Sequence, residues 1–228
     1  METIFYDVDT QNDFMHRDGA LFVSALETAT EPAYGAECII GNLRSLTEYA
    51  KGHGIRIMGS VDRHFSDDPE LNRNGGPFPD HCMDGARGQQ MISETTLDAV
   101  YVENKTGAGM GVHAYSSSEL EAILASGKPI IFEKQHYDVF TNPNAERVLV
   151  GVDRAVVYGV ATDYCVLAAV KGMRARGIEV YVVADAIKEV NVNFSGAADL
   201  DNGKKAILQM QELGAKLIST ADVLESRF

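Results

Sequence analysis

A chain of 228 residues with 45% apolar residues is long enough to bury one sizeable core, and residues 1–228 are expected to form a single domain. Its formal net charge of −13 at pH 7 leaves no positive footprint for phosphate, so neither nucleic acid nor an anionic membrane surface is an expected partner. A small neutral substrate fits better. The start, "METIFYDVDTQNDF", has neither a basic stretch nor a long apolar one, and no run approaches the roughly 18 apolar residues of a membrane span, so a cytoplasmic protein is expected. The three cysteines, Cys38, Cys82 and Cys165, have unrelated spacings, which argues against a disulfide framework.

In chain order, "TIFYDV" (3–8) reads as a first strand. A helix follows over 36–54, with Ile39, Ile40, Leu43, Leu46 and Tyr49 at three-to-four spacing and a stop at Gly52 and Gly54. "IRIMGSV" (55–61) is the second strand. The Asp-, Asn-, Gly- and Pro-rich stretch from Asp62 to about Ser93 breaks the rhythm, and a connection this long inside a compact domain is usually functional. "KTGAGMGVHAYSSS" (105–118) reads as an excursion that serves as a lid or an assembly element. Strands at 128–134, 154–160, 178–185 and 215–220 complete the series, with a helix at 204–214. Strands alternating with helices predict an α/β fold with a mainly parallel sheet covered on both faces.

In such a sheet the ligand crevice lies outside the carboxyl ends of the strands, where the strand order reverses. Three reactive groups leave strands there: Asp9 after the first, Lys134 at the end of "KPIIFEK", and Cys165 in the turn after "RAVVYGV". Taken singly, Cys165 reads as packing, Asp9 as a cap or turn former, and Lys134 as a solvated strand-end charge. Taken together they are a thiol, a carboxylate and an amine, the groups covalent acyl transfer requires. A helix N-terminus and a nearby cation are expected to lower the pKa of the Cys165 thiol. Asp9 is placed to take its proton and later deliver it to a leaving amine.

The loop after the second strand supplies Asp62 and His64, one residue apart, and further on His81. One carboxylate and two imidazoles with open positions suit a catalytic or substrate-binding ion, with zinc, iron(II) and manganese all acceptable. By spacing alone, solvated loop histidines remain the commoner explanation. Cys82 follows His81 directly and points the other way in an extended segment, so it is read as packing.

The motifs "DTQNDF" (9–14), "DGALFV" (18–23), "DRH" (62–64), "GGPFPDHCMDGARG" (75–88), Lys134, "GVATDYC" (159–165), "GIEVYVVADA" (177–186) and "AILQMQELGAKLIST" (206–220) occur in an order and coverage that resembles the isochorismatase-like cysteine hydrolases, and within them the nicotinamidases. The resemblance implies a three-layer α/β/α sandwich with a six-stranded parallel sheet and a catalytic triad of Cys165, Asp9 and Lys134. It implies a metal, usually zinc, held by Asp62, His64 and His81, that orients the substrate through its ring nitrogen. It also implies a cis peptide between Val160 and Ala161, an oxyanion hole formed by the amides of Ala161 and Cys165, aromatic walls from Phe14 and Phe78, and a homo-oligomer. The implied activity is hydrolysis of nicotinamide to nicotinate and ammonia through a thioester. An N-carbamoyl amide hydrolase or isochorismatase-type enzyme is the alternative within the superfamily, and a noncatalytic zinc-containing binding domain the alternative outside it. "QHYDVFTNPN" (135–144) departs from the Ser-Tyr-Ser-rich segment of typical nicotinamidases and bears on substrate identity.

Overall fold

The computed structural model describes residues 1–27, 34–193 and 196–228. Among the described residues the strands are β1 (Glu2–Val8), β2 (Arg56–Asp62), β3 (Val100–Val102), β4 (Ile130–Lys134), β5 (Val152–Val160), β6 (Glu179–Lys188) and β7 (Lys216–Ile218). The helices are α1 (Asn12–Met15), α2 (Ile40–Gly52), α3 (Ser117–Ala125), α4 (Pro143–Val148), α5 (Leu167–Ala175), α6 (Asn202–Glu212) and α7 (Thr220–Leu224). All strand pairs are parallel, in the order β3-β4-β2-β1-β5-β6-β7.

The sheet therefore has seven strands where six are expected. The additional one, β3, is a three-residue edge strand with Tyr101 exposed, too short to show the alternation that marks a strand in sequence. The other predicted strands lie where the β-branched runs place them, to within a few residues. From Ala155 to Val160 every residue of β5 is buried, as a strand covered on both faces requires.

Helix α2 turns Leu43, Leu46 and Ala50 into the core and ends before Gly54, which adopts φ +65°. Leu43 and Leu46 are fully buried, and truncation of either to Ala is worth about 2–5 kcal/mol of stability. Helix α2 packs with α7, and α5 with α6, to give the α/β/α layering. Helix α3 starts from a capping box in which Ser116 accepts from the Glu119 amide and Glu119 reaches back to the Ser116 amide.

The strand order places the site. The chain runs from β1 outward through β2 and β4 on one side, then returns to build β5, β6 and β7 on the other. The order reverses between β1 and β5, and the crevice at their carboxyl ends is the natural ligand position of such a sheet.

Candidate active site

Asp9, Asp62, Lys134 and Cys165 come from the ends of β1, β2, β4 and β5, and the strand register brings them together: Val8 pairs with Ser60 and Gly159, and Asp62 with Lys134. Gly159 makes the approach possible. At φ +116°, a Cβ there would lie 2.1 Å from the Val8 carbonyl oxygen. The bond that follows, Val160–Ala161, is cis.

Asp9 leaves β1 in a left-handed conformation (φ 51°), its amide donating to the Ser60 carbonyl at 3.0 Å and its Oδ1 accepting from Ser60 Oγ at 2.7 Å. Its Oδ2 lies 2.8 Å from Lys134 Nζ, at an angle that makes the contact an ion pair more than a hydrogen bond. Lys134 Nζ also donates to Asp62 Oδ1 and reaches the Cys165 sulfur at 3.6 Å. The Cys165 sulfur and an Asp9 carboxylate oxygen lie within 4.8 Å of each other.

All four groups are buried, and burial sets their electrostatics. It works against the Lys134 ammonium, but Asp62 and Asp9 outweigh it and hold the amine protonated well above its ordinary pKa. Burial raises Asp9 and Lys134 only partly corrects this, so its carboxyl stays above the usual range. For Asp62, burial is overcome by Lys134 and the two histidines, and the carboxylate titrates well below its ordinary value.

Cys165 corrects a sequence expectation. Its pKa does not fall: burial pushes the thiol well up, and the lowering effect of Lys134 does not compensate. The residue sits inside a single π turn, Thr162–Val166, beneath the cleft, so the helix start offers little against the loss of water.

The motif "DTQNDF" explains how the neighbouring loop is held. Gln11 donates from Nε2 to the carbonyls of Asp62 and Gln89 and accepts the Asp62 amide on Oε1, each at 2.7 Å. Asp13 accepts the Ala20 amide at 3.0 Å and the Cys82 amide at 2.7 Å. A short bridge, His64 amide to Cys82 carbonyl and Asp84 amide to His64 carbonyl, then sets His81 beside His64 with ring centres 4.5 Å apart and the planes tilted by 57°. Cys82 is buried with its thiol directed at the Gly88 carbonyl, 3.7 Å away, which is the packing role expected of it.

Asp62, His64 and His81 each offer one donor atom, and these lie within 4.8 Å of one another. Asp62 Oδ2 is 3.8 Å from His64 Nε2 and 3.7 Å from His81 Nε2. Each ring is oriented from behind: His64 Nδ1 faces Asp68 Oδ2 at 3.2 Å, and His81 Nδ1 donates to the Pro79 carbonyl at 2.7 Å. Buried His64 Nε2 has no hydrogen-bond partner. These residues fit a divalent ion: a carboxylate and two imidazole nitrogens converge, the rings fixed by outer hydrogen bonds. In the ion-free protein, burial disfavours the His64 imidazolium, but Asp62 and Asp68 outweigh it and push its pKa up to about 9, so an ion binding there must displace a proton.

Cys165 opens onto a cleft lined by Phe14, Phe78, Tyr137, Tyr164 and Glu70. The Phe14 ring stands 5.5 Å from His81, and Phe78 lies edge-on to both His81 and Tyr164. Glu70, Tyr137 and Tyr164 have no counterpart among the sequence-predicted site residues. Glu70 is buried, with Oε2 3.6 Å from His64 Nε2 and Oε1 3.8 Å from His136 Nδ1. No spacing rule finds it, because it reaches the site through a loop closed by a bridge between Leu71 and Phe78. Asp163, inside "GVATDYC", accepts the amides of Val190 and Asn191 and thereby fixes the backbone beside Val190, which also lines the cleft.

Sheet order and site together define a parallel α/β protein whose cysteine, carboxylate and lysine meet at the switch point beside a prospective metal site. The Isochorismatase domain model matches residues 126–222. Nicotinamidase of Escherichia coli (strain K12) is 25% identical over 235 residues, covering 96% of both chains. Nicotinamidase/pyrazinamidase of Mycobacterium tuberculosis is 28% identical over 196 residues, 84% of this chain and 89% of that one. The zinc complex of pyrazinamidase from Pyrococcus horikoshii shares the fold, with a TM-score of 0.68 and 23% identity over 96% of this chain and 99% of that one. Residues 126–222 thus match the isochorismatase domain, and the chain over most of its length is similar to nicotinamidases.

Proposed function

We propose that this protein is a cysteine amidohydrolase that converts a small aromatic carboxamide, nicotinamide in particular, to the acid and ammonia. The observation that carries the reading is the meeting of Cys165, Asp9 and Lys134 at the floor of an aromatic cleft, next to Asp62, His64 and His81.

With both the thiol and Asp9 raised, the thiolate forms only as it attacks. Asp9 takes the Cys165 proton, and the Lys134 ammonium, 3.6 Å from the sulfur, stabilises the negative charge in a site without bulk water. The sulfur adds to the carbonyl carbon, and the amides of Ala161 and Cys165 hold the oxyanion, each donor worth about 3–4 kcal/mol. Asp9 then protonates the departing nitrogen. Ammonia leaves, a thioester remains, and water that gives its proton to Asp9 releases the acid and restores the thiol. Phe14 and Phe78 sandwich the ring. Asp62, His64 and His81 would hold a divalent ion, most readily zinc, which would supply Lewis-acid chemistry to orient a ring nitrogen of the substrate.

Ammonia release from nicotinamide, pyrazinamide and N-carbamoyl compounds, with and without chelator, tests the reading. Turnover of the two ring amides that is lost with chelator and restored by zinc supports it. Turnover of N-carbamoyl compounds alone moves the substrate to the other branch of the superfamily, a branch favoured by the polar pair Glu70 and His136 beside the cleft. A noncatalytic zinc-binding domain gives no ammonia from any of them.

A further inference from the structure

We infer that Asp68 and Lys105 form an outer layer of the metal site, so that the residue opening the 105–118 excursion sets how tightly His64 holds an ion. The inference rests on the reading that Asp62, His64 and His81 bind a divalent metal.

Asp68 is 1% exposed and fully engaged. Its Oδ2 accepts the Phe65 amide at 2.8 Å and faces His64 Nδ1 at 3.2 Å. Its Oδ1 is paired with Lys105 Nζ, and its carbonyl accepts from Asn74 Nδ2 at 2.8 Å. Lys105 is itself buried, 5.3 Å above the Phe65 ring, and its ammonium also pairs with Asp67 Oδ1 at 3.0 Å. Asp67 in turn accepts the Gly109 amide at 2.8 Å. The excursion is thus tied twice to the loop that carries His64.

The chemistry follows from which nitrogen is occupied. A carboxylate on Nδ1–H fixes the tautomer that leaves the Nε2 lone pair toward the ion, and it makes that nitrogen a stronger donor. His64 Nε2 is the buried atom without a partner, so it is the one the ion would engage. The two histidines are unequal here. His81 is backed by a neutral carbonyl, His64 by a charged carboxylate. Asp68 keeps this role only while its other oxygen is neutralised, and Lys105 is the group that does so. Removing the ammonium leaves a buried carboxylate short of its partner, and it is no longer held against the ring.

The test uses the metal-free full-length chain and measures zinc affinity by competition with a chromogenic chelator. Wild type, Asp68→Asn, Lys105→Met, Lys105→Arg and His64→Ala are compared, each checked for the native circular dichroism spectrum. Asp68→Asn and Lys105→Met are expected to weaken zinc by about tenfold to a hundredfold, and Lys105→Arg, which keeps the charge, by far less. Lys105→Met, one layer further from His64, serves where Asp68→Asn does not fold. Folded variants that bind zinc within about twofold of wild type overturn the inference, as does an equal loss in Lys105→Arg and Lys105→Met. Zinc affinity in His64→Ala equal to wild type overturns the metal reading and this inference with it, and so separates the two failures.

Discussion

Lys134→Met is the substitution whose consequences follow most directly from the structure. It keeps the length of the side chain and removes an ammonium that stands between Asp9 and Asp62 with no access to water. At 2.8 Å and an effective dielectric of about 20, the pair with Asp9 alone represents about 6 kcal/mol of gross attraction. Desolvation of the ammonium offsets part of this, and loss of one partner from a buried ion pair leaves a net destabilisation of about 3–5 kcal/mol. With a urea slope of about 3 kcal/mol per molar, the unfolding midpoint should fall by about 1–1.7 M. The loss should depend on pH. Burial already raises the Asp9 carboxyl and Lys134 pulls it back, so the variant's Asp9 rises further above its unfolded value. A group whose folded pKa is raised adds stability at low pH and withdraws it as pH climbs through the folded value. The gap between variant and wild type is therefore widest near pH ~8 and narrower near pH ~5. Urea titrations with chelator present at both pH values measure it. A gap below about 1 kcal/mol, or one that widens toward acid, refutes the buried-pair account.

Cys165→Ser keeps the fold but should lower ammonia release by about a thousandfold or more, because a serine hydroxyl in this pocket is far harder to ionise; initial rates with nicotinamide check this, and a loss under tenfold would remove the thiol from the mechanism. Gly159→Ala places a Cβ 2.1 Å from the Val8 carbonyl at φ +116°, so a drop of about 3 kcal/mol or more is expected in thermal or urea unfolding, and a neutral result would contradict the close approach of β1 and β5. Ser116→Ala removes half of the capping box of α3 and should cost about 1 kcal/mol by the same measurement with no change in activity.

Much of this arrangement is legible from sequence because strand ends are legible. The runs "TIFYDV", "KPIIFEK" and "RAVVYGV" locate three strands, and the rule that ligands sit at their carboxyl ends brings Asp9, Lys134 and Cys165 together before any coordinates. Asp62, His64 and His81 are found by motif, since their convergence depends on the bridge between His64 and the Cys82 region. Glu70 and Asp68 stay hidden because the loop that bears them has no period. Ser60 stays hidden because, within a strand, its hydroxyl reads as ordinary burial, although it holds Asp9 at 2.7 Å. The Cys165 pKa goes the other way from the helix-terminus argument because a turn seen in sequence says nothing of how deeply it is covered.

The strand order has one further consequence. Asp9, Asp62, His64 and His81 all precede the 105–118 excursion, while Lys134 and Cys165 follow it, and Met110 and Val112 expose that excursion to solvent. A protease cut there partitions the site into two fragments, with Asp9, Asp62, His64 and His81 on one and Lys134 and Cys165 on the other. Because β1 lies between β2 and β5, the fragments interleave within one sheet. Residual turnover after such a nick is then a direct count of the molecules whose two halves have stayed joined.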